Sequence, residues 1–196
     1  MHKTKTKHHH GDLREALISA GVELVHEGGV EALTIRGAAA RVGVSHAAPK
    51  HHFPTLAHLR TAVAARSYQK FHAAMKSAIE EEASEDPQAI AVAAAVGYFR
   101  FARANPSLFQ VMFSTDGVNY DDEELGAASS AAYGLLEEIS APVATAQAGT
   151  NGTEILIWSL AHGFSSLALL GQFGGMNAKD QENFLKQIFP LALFQA

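Results

Sequence analysis

Histidine is the side chain best suited to proton chemistry near neutral pH, and this sequence places its 11 histidines unevenly, nine of them within residues 1–60. The run His8-His9-His10 has the composition of a weak metal tract or a purification-tag fragment, and neither a metal site nor a cofactor is assigned to it. His46, His51 and His52 stand close to Lys50, where partial protonation would add to the local positive charge. Far downstream, Trp158 and His162 are four apart and so share one helical face. Two readings of that pair stay open. It is either a buried aromatic stacked on a satisfied core histidine, or the wall and polar handle of a cavity that Phe99, Met112 and Phe113 complete for a small, mostly hydrophobic ligand. A catalytic base at His162 would need a carboxylate or nucleophile, and its helix offers only Ser159, Ser165 and Ser166 without elbow or triad context. A His-dependent enzyme is the weakest reading, and the chain is taken as a non-enzyme.

The charge pattern says where an anionic partner would dock. Residues 1–60 carry 8 Lys and Arg against 5 Asp and Glu, whereas residues 61–196 carry 7 against 15. A polyanion would meet the N-terminal end. Lys3, Lys5 and Lys7 suit a disordered basic arm over residues 1–11 that follows a nucleic-acid backbone or minor groove. The 196 residues, 47% apolar and 18% charged, fit one compact domain or two small ones and exclude general disorder. Cysteine is absent, which removes disulfides and thiol chemistry and favours a reducing compartment. The start is basic and polar without an apolar run behind it, and no apolar stretch reaches the ~18 residues of a membrane span. A soluble cytoplasmic protein without a membrane anchor is expected.

The elements that must carry these residues are helices. Apolar periodicity from Asp12 to Gly28 predicts a first helix with a glycine C-cap. Thr34 caps a second, short helix closed by Gly43, and Ser45 caps a third from His46 to about His52, a helix-turn-helix arrangement. Taken singly, Thr34, Ser45 and Thr55 are structural caps; phosphate binding rests on their joint spacing. Pro49 lacks an N–H and should bend or tighten the third helix. A long helix from Thr55 to Glu82 follows, then a loop and candidate boundary from Ala83 to Pro87. Helices are expected over Gln88–Ala104, Leu108–Phe113 with Ser107 as cap, Glu123–Ala146 broken near Pro142, Thr153–Leu170 after a turn at Thr150–Gly152, and Lys179–Leu193. The fold class is all-α, with about nine helices.

The run Thr34-Ile35-Arg36-Gly37-Ala38-Ala39-Ala40-Arg41-Val42-Gly43-Val44-Ser45, followed by His52-Phe53-Pro54, resembles the DNA-binding domain of the TetR family of bacterial repressors. Trp-Ser-Leu-Ala-His-Gly, with Trp158, His162 and Gly163, is similar to the motif of the WHG type of TetR ligand-binding domain, as are Ser45 to Pro49 and Ala104 to Phe109. The resemblance implies an N-terminal helix-turn-helix domain over residues 12–60 and a ligand-binding and dimerisation bundle over residues 61–196. It departs from the family at three positions, where Tyr, a basic residue and Lys are usual and Lys50, His51 and Leu56 stand. Ala38 also replaces a larger aliphatic residue.

In a helix-turn-helix the second helix enters the major groove while caps and helix N-termini hold phosphate. That assigns Ser45, His46, Ala47, Lys50 and His51 to the recognition segment, and Thr34, Arg36 and Thr55 to the backbone. Ala47 offers only a methyl group for a thymine methyl. The whole reads as a homodimeric, ligand-responsive repressor of a palindromic double-stranded DNA operator, released by a small, mostly hydrophobic effector. The last two helices are expected to form the dimer seam, with Ser159, Ser166 and Ala168 as a small-residue face and Ile188, Phe189, Leu191, Leu193 and Phe194 as the apolar end. A helical interaction module without DNA binding is the alternative.

Overall fold

The computed structural model describes residues 10–114, 116–144 and 149–193. Every regular element among them is helical, eight α-helices and three short 3-10 turns. Helix α1 (His10–Gly28) ends where Gly29 takes φ 80, a left-handed conformation that costs glycine nothing. After a 3-10 turn at Val30–Ala32, α2 (Ile35–Val42) starts with the Thr34 hydroxyl accepting from Gly37 N at 2.9 Å and stops at Gly43 with φ 75. Leu17, Ile18, Val25, Leu33, Leu59 and Val63 are almost wholly buried and form the core of this N-terminal head.

The third helix is shorter than its sequence suggests. Residues Ala48–His51 form one 3-10 turn with Pro49 in its first positions, and the Ser45 side chain makes no capping bond. An α-helix from Ser45 would need the Pro49 N–H on the Ser45 carbonyl; proline has none, and Ala48 N donates to Ser45 O instead, at 3.0 Å. The tightening expected at Pro49 therefore consumes the whole helix.

Helix α3 (Leu56–Glu82) leaves the head and runs the length of the molecule, packing against α4 (Pro87–Ala104) and α6 (Glu123–Ser140). Ala83, at φ 50, turns the chain back inside the bundle. The approach of α3 to α4 is set by Gly97, where a Cβ would lie 2.7 Å from both the Ala74 carbonyl oxygen and the Met75 Cα. Helix α5 (Pro106–Met112) packs on α1, α3 and α4, α7 (Gly149–Leu169) on α4 and α6, and α8 (Ala178–Leu193) on α4 and α7.

Several boundaries differ from expectation. Helix α1 opens at His10, before Asp12. Helix α5 opens at Pro106, before Ser107, because proline's missing N–H is harmless in a first turn. Helix α6 stops at Ser140, ahead of a 3-10 turn containing Pro142, and does not reach Ala146. Thr150–Gly152 belong to α7, not to a turn. Pro190 sits inside α8. Most of the basic arm, with His8 and His9, lies outside the described residues.

Candidate functional site

Thr34, Arg36, Ser45, His46, Ala47, Lys50, His51 and Thr55 are all solvent-exposed on the head. Their side chains are not equally available. Thr34 is engaged as the α2 cap, while Thr55 makes no capping bond and shares a 2.8 Å hydrogen bond with His58 Nδ1. His58 is an exposed partner that the sequence reading overlooked, although it stands three residues into the helix that Thr55 starts. Arg41 is drawn inward by Glu27, at 2.8 and 2.5 Å, and by Glu23 at 3.2 Å; its hydrogen bond holds the Glu27 carboxyl below the ordinary range. Leu56 is half-buried and packs against the core. Arg36 and Lys50 are therefore the exposed cations that this rim presents outward.

At the other end of α3, a cavity of about 460 Å³ opens among α3, α4, α6 and α7. Phe71, Met75, Leu135, Ile139, Ile157 and Trp158 give it apolar walls. Among the described residues its polar groups include the hydroxyls of Tyr68, Tyr98, Ser129, Ser130 and Tyr133 and the Glu137 carboxylate, and no Lys, Arg or His lines it. Tyr98 is 5% exposed and sets its ring edge-on to Phe71 at 4.7 Å.

The Tyr98 hydroxyl lies 2.7 Å from His162 Nδ1. Burial pushes the Tyr98 phenol well above its ordinary pKa, opposed by a hydrogen bond from Trp158. The hydroxyl and the imidazole share one hydrogen bond, in which either partner can donate according to the histidine tautomer. His162 stacks on Phe109 at 5.3 Å and meets the edge of Phe113 at 4.8 Å. Burial lowers its pKa below 6.5, which favours the neutral imidazole. Engaged with His162 in either sense, the Tyr98 oxygen keeps a lone pair that can accept from a ligand.

Of the five cavity residues chosen from sequence, Phe113 and Trp158 line the cavity. Phe99 lies in the core against Phe164, with ring centroids 5.5 Å apart. Met112 is 1% exposed, and its carbonyl accepts from the hydroxyls of Tyr68 at 3.1 Å and Tyr120 at 3.3 Å. His162 stands behind Tyr98 and faces a shallow outer groove between α5 and α7. Each reading of the Trp158–His162 pair thus describes one member. Sequence reasoning missed Tyr98 because it stands among small residues, Ala91, Ala94, Ala95 and Ala102, which are buried with it. Alanine runs hide a buried face from periodicity.

Along α7, just past its end and along α8, Ile155, Leu156, Leu167, Leu170, Phe184 and Leu191 are exposed, apolar side chains of the kind an interface covers. Ala168, Phe189 and Leu193, expected at the seam, are instead buried in the bundle, and Phe194 lies outside the described residues. Among the described residues no group of three or more His, Asp or Glu converges as a metal site would, and no helix is long and apolar enough to cross a membrane.

Residues 91–189 match the family described as Tetracyclin repressor-like, C-terminal domain. The chain belongs to the TetR family of transcriptional regulators. Among solved structures, a Rhodococcus sp. RHA1 protein of unknown function superposes with a TM-score of 0.81 at 26% identity, over 97% of this chain and 100% of that one. The multidrug binding protein EbrR complexed with imidazole has a TM-score of 0.64 at 15% identity, covering 93% of this chain and 96% of its own. A TetR transcriptional regulator from Rhodococcus sp. RHA1 has a TM-score of 0.62 at 19% identity, covering 95% and 99%. No curated protein matches the sequence significantly.

Proposed function

We propose that this TetR-family protein is a cytoplasmic repressor that binds a palindromic operator as a homodimer and releases it when a small, mostly hydrophobic effector, read through a WHG-type domain, fills the cavity. The observation that carries the reading is one helix, α3, whose first residue follows the exposed polar rim and whose Tyr68, Phe71 and Met75 line the cavity. An effector can release DNA only by binding the DNA-incompetent dimer more tightly than the competent one. A typical coupling of about 1–3 kcal/mol corresponds to a several-fold to hundredfold loss of operator affinity.

The lining narrows the effector further. With no basic side chain and only the Glu137 charge among the described residues of the wall, an anionic ligand would be buried without a cationic partner, at a cost of several kcal/mol. A neutral or cationic molecule with flat apolar surface and one N–H or O–H for Tyr98 suits the site. The test is selection of genomic duplex fragments by the purified protein, followed by release assays with neutral, cationic and anionic aromatic compounds. Salt-sensitive, sequence-selective binding relieved by the first two classes supports the reading; release by the anionic class alone contradicts it. The single 3-10 turn at the recognition position favours the alternative, a helical interaction module, and the absence of salt-dependent duplex binding would decide for that one.

A further inference from the structure

The head and the cavity are joined through α1 as well as through α3. Arg14 of α1 holds its guanidinium over the ring of Phe53, 5.8 Å from the centroid, and donates to Glu124 Oε2 at 2.5 Å. Phe53 comes two residues after the turn Ala48–His51, is 2% exposed, and donates its N–H to the Pro49 carbonyl at 2.8 Å. Its ring therefore anchors the recognition turn in the head's core. Glu124 lies in the first turn of α6, behind the Asp122 cap, and the following turns of the same helix carry Ser129, Ser130 and Tyr133 to the cavity wall. Glu15, beside Arg14, is held by Arg66 of α3 and also meets Arg14 at 3.4 Å. A chain of alternating charge, Arg66, Glu15, Arg14, Glu124, thus crosses α3, α1 and α6.

We propose that Arg14 is an interdomain latch, gripping Glu124 on the helix that walls the cavity and Phe53 beneath the recognition turn, so that a ligand which moves α6 loosens the turn. A helix transmits displacement along its axis with little internal strain, and a guanidinium–carboxylate hydrogen bond is lost within a small separation. The Arg14 and Glu124 side chains are 37% and 34% exposed, which makes the contact weak enough to open: partly exposed ion pairs contribute little to stability. The proposal rests on the reading of the cavity and the turn given above, but its test needs neither DNA nor the natural effector.

The test is amide hydrogen exchange over residues 48–55 of the full chain. Arg14→Gln, Glu124→Gln and the double variant are compared with the native protein, without ligand and with N-phenyl-1-naphthylamine, a neutral apolar probe carrying one N–H whose binding Trp158 emission reports. Glu124→Gln should speed ligand-free exchange about twofold to fivefold, the range of an exposed pair, Arg14→Gln, which also releases Phe53, at least as much, and the double variant should match Arg14→Gln, because Glu124 acts on the turn only through Arg14. The probe should speed exchange over the same residues in the native protein and add nothing in Glu124→Gln. Native-like exchange in Glu124→Gln overturns the latch, as does an unchanged turn in native protein whose Trp158 reports bound probe. A probe that leaves Trp158 unaffected counts against the cavity reading, while the ligand-free exchange still decides the latch.

Discussion

Tyr98→Phe deletes one oxygen and isolates the link between Trp158 and His162. The native hydroxyl is 2.7 Å from His162 Nδ1, and Phe109 and Phe113 pack on the imidazole. Stranding a buried donor or acceptor costs about 1–3 kcal/mol; the imidazole is half-buried, so the lower half of that range, about 1–2 kcal/mol, is expected. For a chain of this length that is a Tm lowered by about 2–8 °C. Urea unfolding followed by circular dichroism and by the emission of the single tryptophan gives the loss at two scales. The paired variant Tyr98→Phe/His162→Leu removes both partners and should regain most of the stability that Tyr98→Phe loses, since two matched apolar groups strand nothing. Strictly additive losses, or a Tyr98→Phe variant as stable as the native protein, would refute the link. The acid limb supplies a second readout. Burial holds the His162 pKa below its unfolded value near 6.5, so on acidification the unfolded chain takes the proton first. This histidine costs the fold nothing above about pH 6.5 and destabilises it progressively as pH falls toward the folded-state value, so His162→Leu should be less acid-sensitive across that window.

Three further outcomes follow from other parts of the molecule. Gly97→Ala should destabilise by about 1–3 kcal/mol, measured by thermal unfolding, because its methyl would meet α3 backbone 2.7 Å away. Leu170→Glu, at a position 71% exposed just past the end of α7, should leave monomer stability nearly unchanged while shifting a dimer to monomer in sedimentation at micromolar concentration; a protein that is monomeric before substitution would count against the proposed homodimer. Lys50→Ala should weaken duplex binding by about 1–3 kcal/mol if its ammonium reaches a base edge, whereas Arg36→Ala should lower the salt slope by about one contact irrespective of sequence.

The helical architecture was legible in the sequence because its signals are local. Thr34, Gly43 and Asn105-Pro106 punctuate the chain through caps and a missing N–H, and a helix starts or stops at each of them. The recognition segment was legible only in part. Pro49 announced a distortion, but its extent depends on how the chain after it is held, and Phe53, buried in the core with its N–H on the Pro49 carbonyl, is what holds it. The cavity was least legible. Trp158 and Phe113 carry conspicuous side chains, but whether a large residue faces a void or a neighbour depends on packing between helices distant in sequence. Phe99, adjacent to Tyr98, points into the core instead. The Arg14–Glu124 contact, spanning 110 residues, had no sequence signal at all.

The central claim is that filling the cavity changes DNA binding, and one titration tests it. A fluorescently labelled duplex selected from genomic fragments is bound to the protein at low salt, and a neutral aromatic compound that alters Trp158 emission is then added while duplex anisotropy and tryptophan emission are read together. The account predicts that both signals move over one concentration range, with operator affinity falling several-fold to a hundredfold at saturation. Saturation of the Trp158 signal with the duplex still bound at unchanged affinity would contradict it.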